Sequence, residues 1–192
     1  MKVRFVVLLV GVGAAAAACG DPFATTATLS TIDDTAAVYA LTGAPESAPT
    51  AINITFPRAV ITTPSESYDV VFDIRNDSAF AYPPHAIGAA LTAGIQIATQ
   101  PYDAITQAPV TGYDDTMPLF VKAGDVLLVQ SQSSECATQG VQARLFIYAK
   151  VVIDSIFYDN AAPPHTPRTI WYRMRNDPNC GFISFADGIP KS

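Results

Sequence analysis

The chain has 192 residues, 49% of them hydrophobic, with 11 Lys and Arg against 17 Asp and Glu for a net charge of −6. That length suits one ordinary domain around a single core, and the few, scattered basic residues exclude nucleic acid or an anionic lipid surface as an electrostatic partner. With 3 cysteines, 2 histidines, no paired-cysteine spacing and no GxSxG serine, the sequence offers neither a zinc site nor a nucleophile elbow, and no cofactor is expected.

Met1–Arg4 carries two positive charges, Phe5–Ala18 is uncharged for 14 residues, and small residues lead to Cys19. This is the layout of an export signal, shorter than the roughly 20 residues that a membrane-spanning helix needs. Inside it, GVGAAA at 11–16 matches the opening of a dinucleotide-binding fingerprint, with Asp33 near the distance for a ribose contact. Cys19, Gly20, Asp21 and Pro22 would break the helix that such a site requires, and no alternation of strand and helix follows. The organisation read from the sequence is a signal peptide over 1–18, a polar tether over 19–35 with an edge strand near Thr25–Ser30, and one domain over 36–192. Loss of Lys2 and Arg4 with the signal leaves 9 basic against 17 acidic residues, a mature charge of −8.

Ala16, Ala17, Ala18 and Cys19 resemble the lipobox of bacterial lipoprotein precursors. The resemblance implies a diacylglycerol on Cys19, cleavage before it, and a membrane partner reached through that lipid in the bacterial cell envelope. The leucine usual three places before the cysteine is Ala16 here, which leaves ordinary signal-peptidase cleavage and secretion as the alternative. Gly20 stands where an aspartate would retain the protein in the inner membrane, so the outer membrane or cell surface is favoured. Beyond the cytoplasm two remaining cysteines pair rather than stay free. With Cys19 acylated, Cys136 and Cys180 are the only choice, closing a loop of about 45 residues.

The rest of the chain reads as strands. SYDVVFDI places Tyr68, Val70, Phe72 and Ile74 on one face and Asp69, Val71 and Asp73 on the other, the period of a half-buried strand. AINITF and GIQIAT alternate likewise, while AVYALTG, PLFVKAGDVLLVQS, VQARLFIYAKVVIDSIFY, RTIWYRM and CGFISFA are rich in β-branched and aromatic residues and bounded by turn formers. The 18 residues Val141–Tyr158 exceed one strand of a domain this size, which predicts a bend or hairpin near Lys150. Ala86–Ala98 contains Gly88 and Gly94 and makes a weak helix. The expected fold is all-β, an antiparallel β-sandwich or Greek-key barrel of about eight to ten strands.

One echo carries candidate chemistry. VVFDIRNDSAFAYPPH at 70–85 and VVIDSIFYDNAAPPH at 151–165 both run strand, acid, loop, double proline, histidine. The bold reading joins Asp73 with His85 and Asp154 with His165 as acid–base or metal-binding pairs. The bland one is that double prolines stiffen loops leaving strands. RND recurs at Arg75–Asp77 and Arg175–Asp177, where Asn and Asp suit turns. Arg168, Arg173 and Arg175 cluster, the last two on one solvated strand face. Asp33 with Asp34 and Asp114 with Asp115 offer carboxylates for calcium but match no twelve-residue calcium loop.

NDPNCGFISFADGIPKS and YAKVVIDSI resemble parts of uncharacterised exported β-rich bacterial proteins. That resemblance brings no activity and implies a structural corner at PNCG, with Cys180 bridged and Gly181 free to take a positive φ. The expected function is a lipid-anchored envelope domain, a non-enzymatic binding or structural module for a protein or glycan. The alternative is an envelope hydrolase or metal-dependent enzyme using His85 or His165 with Asp73 or Asp154. Exposed Trp171, Tyr113 or Tyr158 in one groove would favour a glycan ligand.

Overall fold

The computed structural model describes residues 27–133, 136, 146–158 and 168–190. Cys19 and His165 lie outside them. Among the described residues ten strands follow in chain order: β1 (Ile32–Tyr39), β2 (Ala51–Asn53), β3 (Arg58–Val60), β4 (Val70–Arg75), β5 (Ser78–Tyr82), β6 (Ala93–Ile97), β7 (Leu119–Val121), β8 (Val126–Ser131), β9 (Ile147–Phe157) and β10 (Thr169–Asp177). They form two antiparallel sheets of five, ordered β1-β10-β9-β8-β6 and β3-β2-β4-β5-β7. The expected sandwich is what the chain adopts; the sheets do not close into a barrel.

The strand period of two explains the core. Val38 on β1, Ile170 and Tyr172 on β10, Ile147, Ala149, Val151 and Ile153 on β9, and Leu127 and Val129 on β8 point inward from the first sheet. They meet Ile52, Val70, Phe72, Ile74, Ala79 and Ala81 from the second. Two smaller clusters cover outer faces. Ile105, Ala108 and Phe185 lie over Val126, Leu128, Tyr148 and Val152 of the first sheet, while Tyr68 packs with Val60 and Val71 on the second. At the corner between the sheets Arg168 donates to Ile74 O at 2.6 Å and to Thr42 O at 2.5 Å.

These covers account for the departures from the sequence pattern. β4 is buried on both faces rather than one, because Val71 belongs to an outer cluster and Asp69 and Asp73 have polar partners below ground. No bend occurs near Lys150: β9 runs 11 residues unbroken, and the irregularity is a bulge opposite it, between Trp171 and Tyr172. CGFISFA forms no strand, holding only an isolated bridge from Ser184 to Gln107 as part of the cover. Of the edge strand expected near Thr25–Ser30, the described part, 27–30, is not a strand, and the first described strand starts at Ile32, so the end of the expected tether pairs with β10. Ala86–Ala98 divides into the end of a 3-10 turn at Pro84–Ile87 and β6.

Two sequence turns appear as read. Asn76 and Asp77 take φ of 48° and 54° in the two-residue β4–β5 hairpin, where both central residues need positive φ. Gly181 has φ 83° beside the bridged cysteine. Cys136 and Cys180 are joined, with an S–S distance of 2.10 Å and Cα atoms 5.5 Å apart.

Candidate functional site

Of the two acid–histidine pairs of the sequence echo, Asp73 with His85 does not assemble, and His165 of the other lies outside the described residues. Asp73 is wholly committed: Oδ1 accepts from Thr42 N at 2.8 Å and Ile74 N at 2.9 Å, and Oδ2 from Thr42 Oγ1 at 2.8 Å and Arg75 Nε at 2.5 Å. Burial works to raise its pKa, but the donors from Thr42, Arg75 and Ile74 outweigh it and hold the carboxyl below its ordinary range. His85, on the 3-10 turn, faces Asp115 instead, Nδ1 to Oδ2 3.6 Å, with both side chains open to solvent. Asp154 is gripped by Arg173 through two contacts of 2.9 Å and one of 3.1 Å. Among the described residues no group of three His, Cys, Asp or Glu side chains could hold a metal.

The paired aspartates are also separated in use. Asp33 takes Arg175 at 2.6 and 2.7 Å, and that guanidinium keeps its pKa low. Asp34 accepts from the Tyr172 hydroxyl at 3.1 Å. Asp114 closes its own turn on Thr116 and Met117. Arg173 and Arg175 do share the outer face of β10, but each is held by carboxylates, Arg175 also by Asp187 at 2.8 Å.

Lys150 was read only as a bend and is a buried fastener. Its ammonium donates to Tyr102 O and Ile105 O, both at 2.9 Å, and lies 4.3 Å from the Tyr102 ring centre and 5.6 Å from that of Phe185. Burial, then the nearby charge of Arg175, lowers its pKa. Burial chiefly pushes Tyr102 up to about 12. Strand alternation gives the signal: Lys150 falls between Tyr148 and Val152 on an apolar outer face, where a lysine needs carbonyls above it.

Two clefts of similar size open on the surface. One, of about 430 Å³, lies beside the 3-10 turn, where Thr62, Glu66, Tyr68, Ile87 and Leu91 meet; its carboxylate, Glu66, is turned to Arg58 at 3.4 Å. The other, of about 440 Å³, is lined by amides, with Gln96, Gln100 and Gln107 around Ile97 and Ile105.

Among the described residues an aromatic face stays exposed at one end of the first sheet. Trp171 on β10 lies opposite Ala37 of β1 and Ser155 of β9, and Thr169 opposite Tyr39 and Phe157. Inward Ile170 and Ile156 fix the parity, so Tyr39, Trp171 and Phe157 share the outer face. Tyr39 and Phe157 are then the two diagonal neighbours of Trp171, with Cβ atoms roughly 7–8 Å away, close enough for one ligand to span the rings. Trp171 and Phe157 are each about half exposed. Ser155 and Thr169 supply hydroxyls, and the Arg173–Asp154 pair borders the face on the side of the cover, its guanidinium 5.5 Å from the Tyr102 ring. Tyr113 is not part of it. That ring packs in the cover against Tyr148, 6.1 Å between centroids, and its hydroxyl donates to Pro109 O.

This arrangement is a β-sandwich that presents exposed aromatic side chains on the outer face of its first sheet. No protein-family model matches the chain, and a comparison with curated proteins finds no match either.

Proposed function

We propose that this chain is a non-enzymatic binding module of the bacterial cell envelope, anchored by a lipid on Cys19, that takes a glycan on the face formed by Tyr39, Trp171 and Phe157. The observation that carries the reading is the placing of those rings at the end of the strands opposite to chain entry. β1 begins at Ile32 beside Asn176 and ends at Tyr39 beside Thr169, so a tether leading to residue 27 leaves from one end while the rings project at the other. Aromatic rings with neighbouring hydroxyls match a sugar, whose C–H face stacks on a ring while its hydroxyls take hydrogen bonds at the edge. The commitment of Asp73, Asp154 and Asp33 to structural partners removes support from the hydrolase alternative.

The test is a glycan array probed with the mature chain, parent against Trp171→Ala. Binding to at least one envelope or host glycan that drops at least tenfold in the variant, with unchanged melting temperature, is expected. Equal binding by the two proteins, or a protein ligand captured with undiminished affinity by Trp171→Ala, refutes the site. Anchoring is read separately, by incorporation of a clickable fatty acid in the parent and its loss in Cys19→Ser.

A further inference from the structure

The end of the sandwich at which the chain enters carries exposed aliphatic and aromatic side chains of its own. Leu29 and Ile32 flank Thr31, whose amide donates to Gly188 O at 3.2 Å and whose hydroxyl donates to Ala186 O at 3.1 Å. That contact brings Ile189 alongside. Ile32 is paired with Asn176, and Asn176 Nδ2 donates to Ile54 O at 2.6 Å, which brings the β2–β3 turn, with Phe56 at its tip, to the same end. Leu29, Ile32, Phe56 and Ile189 leave between 42% and 57% of their surface open. Four large apolar residues drawn from three separate stretches of chain thus collect at one end.

The segment carrying them is held firmly. Asn179 Oδ1 accepts from Thr28 N and Leu29 N at 2.9 and 3.0 Å, and its Nδ2 donates to Leu29 O at 2.7 Å. Asn179 in turn is fixed by Asp177 Oδ1 and adjoins the bridged Cys180. A side chain on this segment is therefore presented in a set orientation, unlike one on a free tail.

We propose that this end is a membrane-docking surface: Leu29, Ile32, Phe56 and Ile189 rest in the interfacial region of a zwitterionic bilayer and hold the domain upright. The inference rests on the anchor at Cys19 proposed above. Eight residue steps separate Cys19 from residue 27, an upper reach of roughly 29 Å for fully extended chain, so a lipid on Cys19 keeps this end within one domain diameter of the headgroups. Leu, Ile and Phe are the side chains that gain by insertion at the headgroup and acyl boundary. Charge argues for zwitterionic lipid, because the mature chain carries −8 and two described cations near this end are already matched, Arg175 by Asp33 and Asp187 and Arg58 by Glu66. A docked end also fixes the outward direction of the Trp171 face.

The experiment couples the mature chain through Cys19, its free thiol once Cys136 and Cys180 are bridged, to a maleimide phospholipid in phosphatidylcholine vesicles. Hydrogen exchange is then compared with that of the uncoupled chain. Amides of 53–56 and 187–189 are expected to exchange at least threefold more slowly on vesicles, with 169–172 unchanged. The combined variant Leu29→Ser, Ile32→Ser, Phe56→Ser and Ile189→Ser is expected to lose that slowing while keeping the parent's melting temperature. Equal exchange with and without vesicles overturns the proposal. So does protection already present in the uncoupled chain as a sedimenting dimer, which would give the patch to a second copy. The synthetic lipid supplies the anchor here, so failure of natural acylation appears only in the fatty-acid labelling of Cys19→Ser.

Discussion

Asp69 offers the sharpest test of how the two sheets are joined. It precedes β4 in the second sheet, is almost completely buried, and its Oδ1 receives Ser131 Oγ of the first sheet at 2.5 Å while its Oδ2 receives Ile54 N at 2.7 Å. Both partners are neutral, and burial raises its pKa against the pull of those two donors. Asp69→Ala strands the Ile54 amide and the Ser131 hydroxyl away from water, at about 1–3 kcal/mol each, and opens a small void. The expected loss is about 3 kcal/mol, or roughly 6–12 °C in melting temperature for a domain of this size. Asp69→Asn keeps an acceptor for Ile54 N–H and lets Ser131 accept from the new amide, so its cost at pH 4 is expected within about 1 kcal/mol. The sign with pH follows from linkage. A carboxyl whose folded pKa is raised binds its proton more tightly when folded, so the parent loses stability as pH rises through the ordinary aspartate range and up to the folded value. Asp69→Asn lacks that slope and gains on the parent between pH 4 and neutrality. Urea unfolding followed by circular dichroism at pH 4, 5.5 and 7, with the disulfide intact, reads all three proteins. Equal destabilisation by Ala and Asn, or parallel pH profiles of parent and Asn variant, would refute the reasoning.

Three further outcomes are expected. Replacing Cys136 and Cys180 together by serine releases a loop with a sequence separation of 44 and is expected to cost up to about 4 kcal/mol by the chain-entropy relation, read as a lower urea midpoint; mass spectrometry of a non-reduced parent digest shows the linked peptides. Gly94→Ala puts a Cβ 2.8 Å from the Cβ of Tyr113, which cannot swing away, so about 1–3 kcal/mol is lost and the 93–97 and 111–114 amides exchange faster. Lys150→Met removes the ammonium from Ile105 O and leaves Tyr102 O only the Ile105 amide at 3.3 Å, and exchange is expected to quicken at the amides of Ala104 and Ile105. Because folding depresses the pKa of Lys150, the unfolded chain binds that proton more tightly, and the parent gains stability at alkaline pH where the variant gains none.

The class of fold was legible because alternation survives wherever one face of a strand meets the core, as Val70, Phe72 and Ile74 do. What misled was the assumption that the other face meets water. Tyr148, Lys150 and Val152 lie under a cover made by residues near Ile105 and Phe185, and a strand buried on both faces runs straight through a lysine that looks like a break. CGFISFA has the composition of a strand yet serves as that cover, since periodicity reports burial and not hydrogen-bonding partner. Gly94 weakened a helix reading correctly, but its reason is a contact with Tyr113 distant in sequence. The bridge between Cys136 and Cys180 followed from counting cysteines. The aromatic face did not follow from any count, because Tyr39, Phe157 and Trp171 come from three strands whose register only the folded sheet supplies.

The aspartates explain why a chain rich in carboxylates need not carry out acid–base chemistry. Asp33 and Asp154 pair with arginines across neighbouring strands of the first sheet. Asp73 ties the chain near Thr42 to β4, Asp69 ties one sheet to the other, and Asp177 steadies Asn179 against the entering chain. A general acid or base must be free to give or take a proton at a substrate atom, whereas Asp33, Asp69, Asp73 and Asp154 spend both oxygens on holding strands in place; Asp177 uses Oδ1 alone, and its Oδ2 is buried without a hydrogen-bond partner among the described residues. Among the described residues the exposed large apolar side chains include Leu29, Ile32, Phe56 and Ile189 where the chain enters, Trp171 with Phe157 at the opposite end, and Val110, Met117 and Phe120 elsewhere; the first two groups are the ones proposed for bilayer and glycan. A Trp171→Ala change should therefore alter ligand capture without altering vesicle contact, and the four serine substitutions should do the reverse; a single variant that abolished both would mean that the two ends do not act independently.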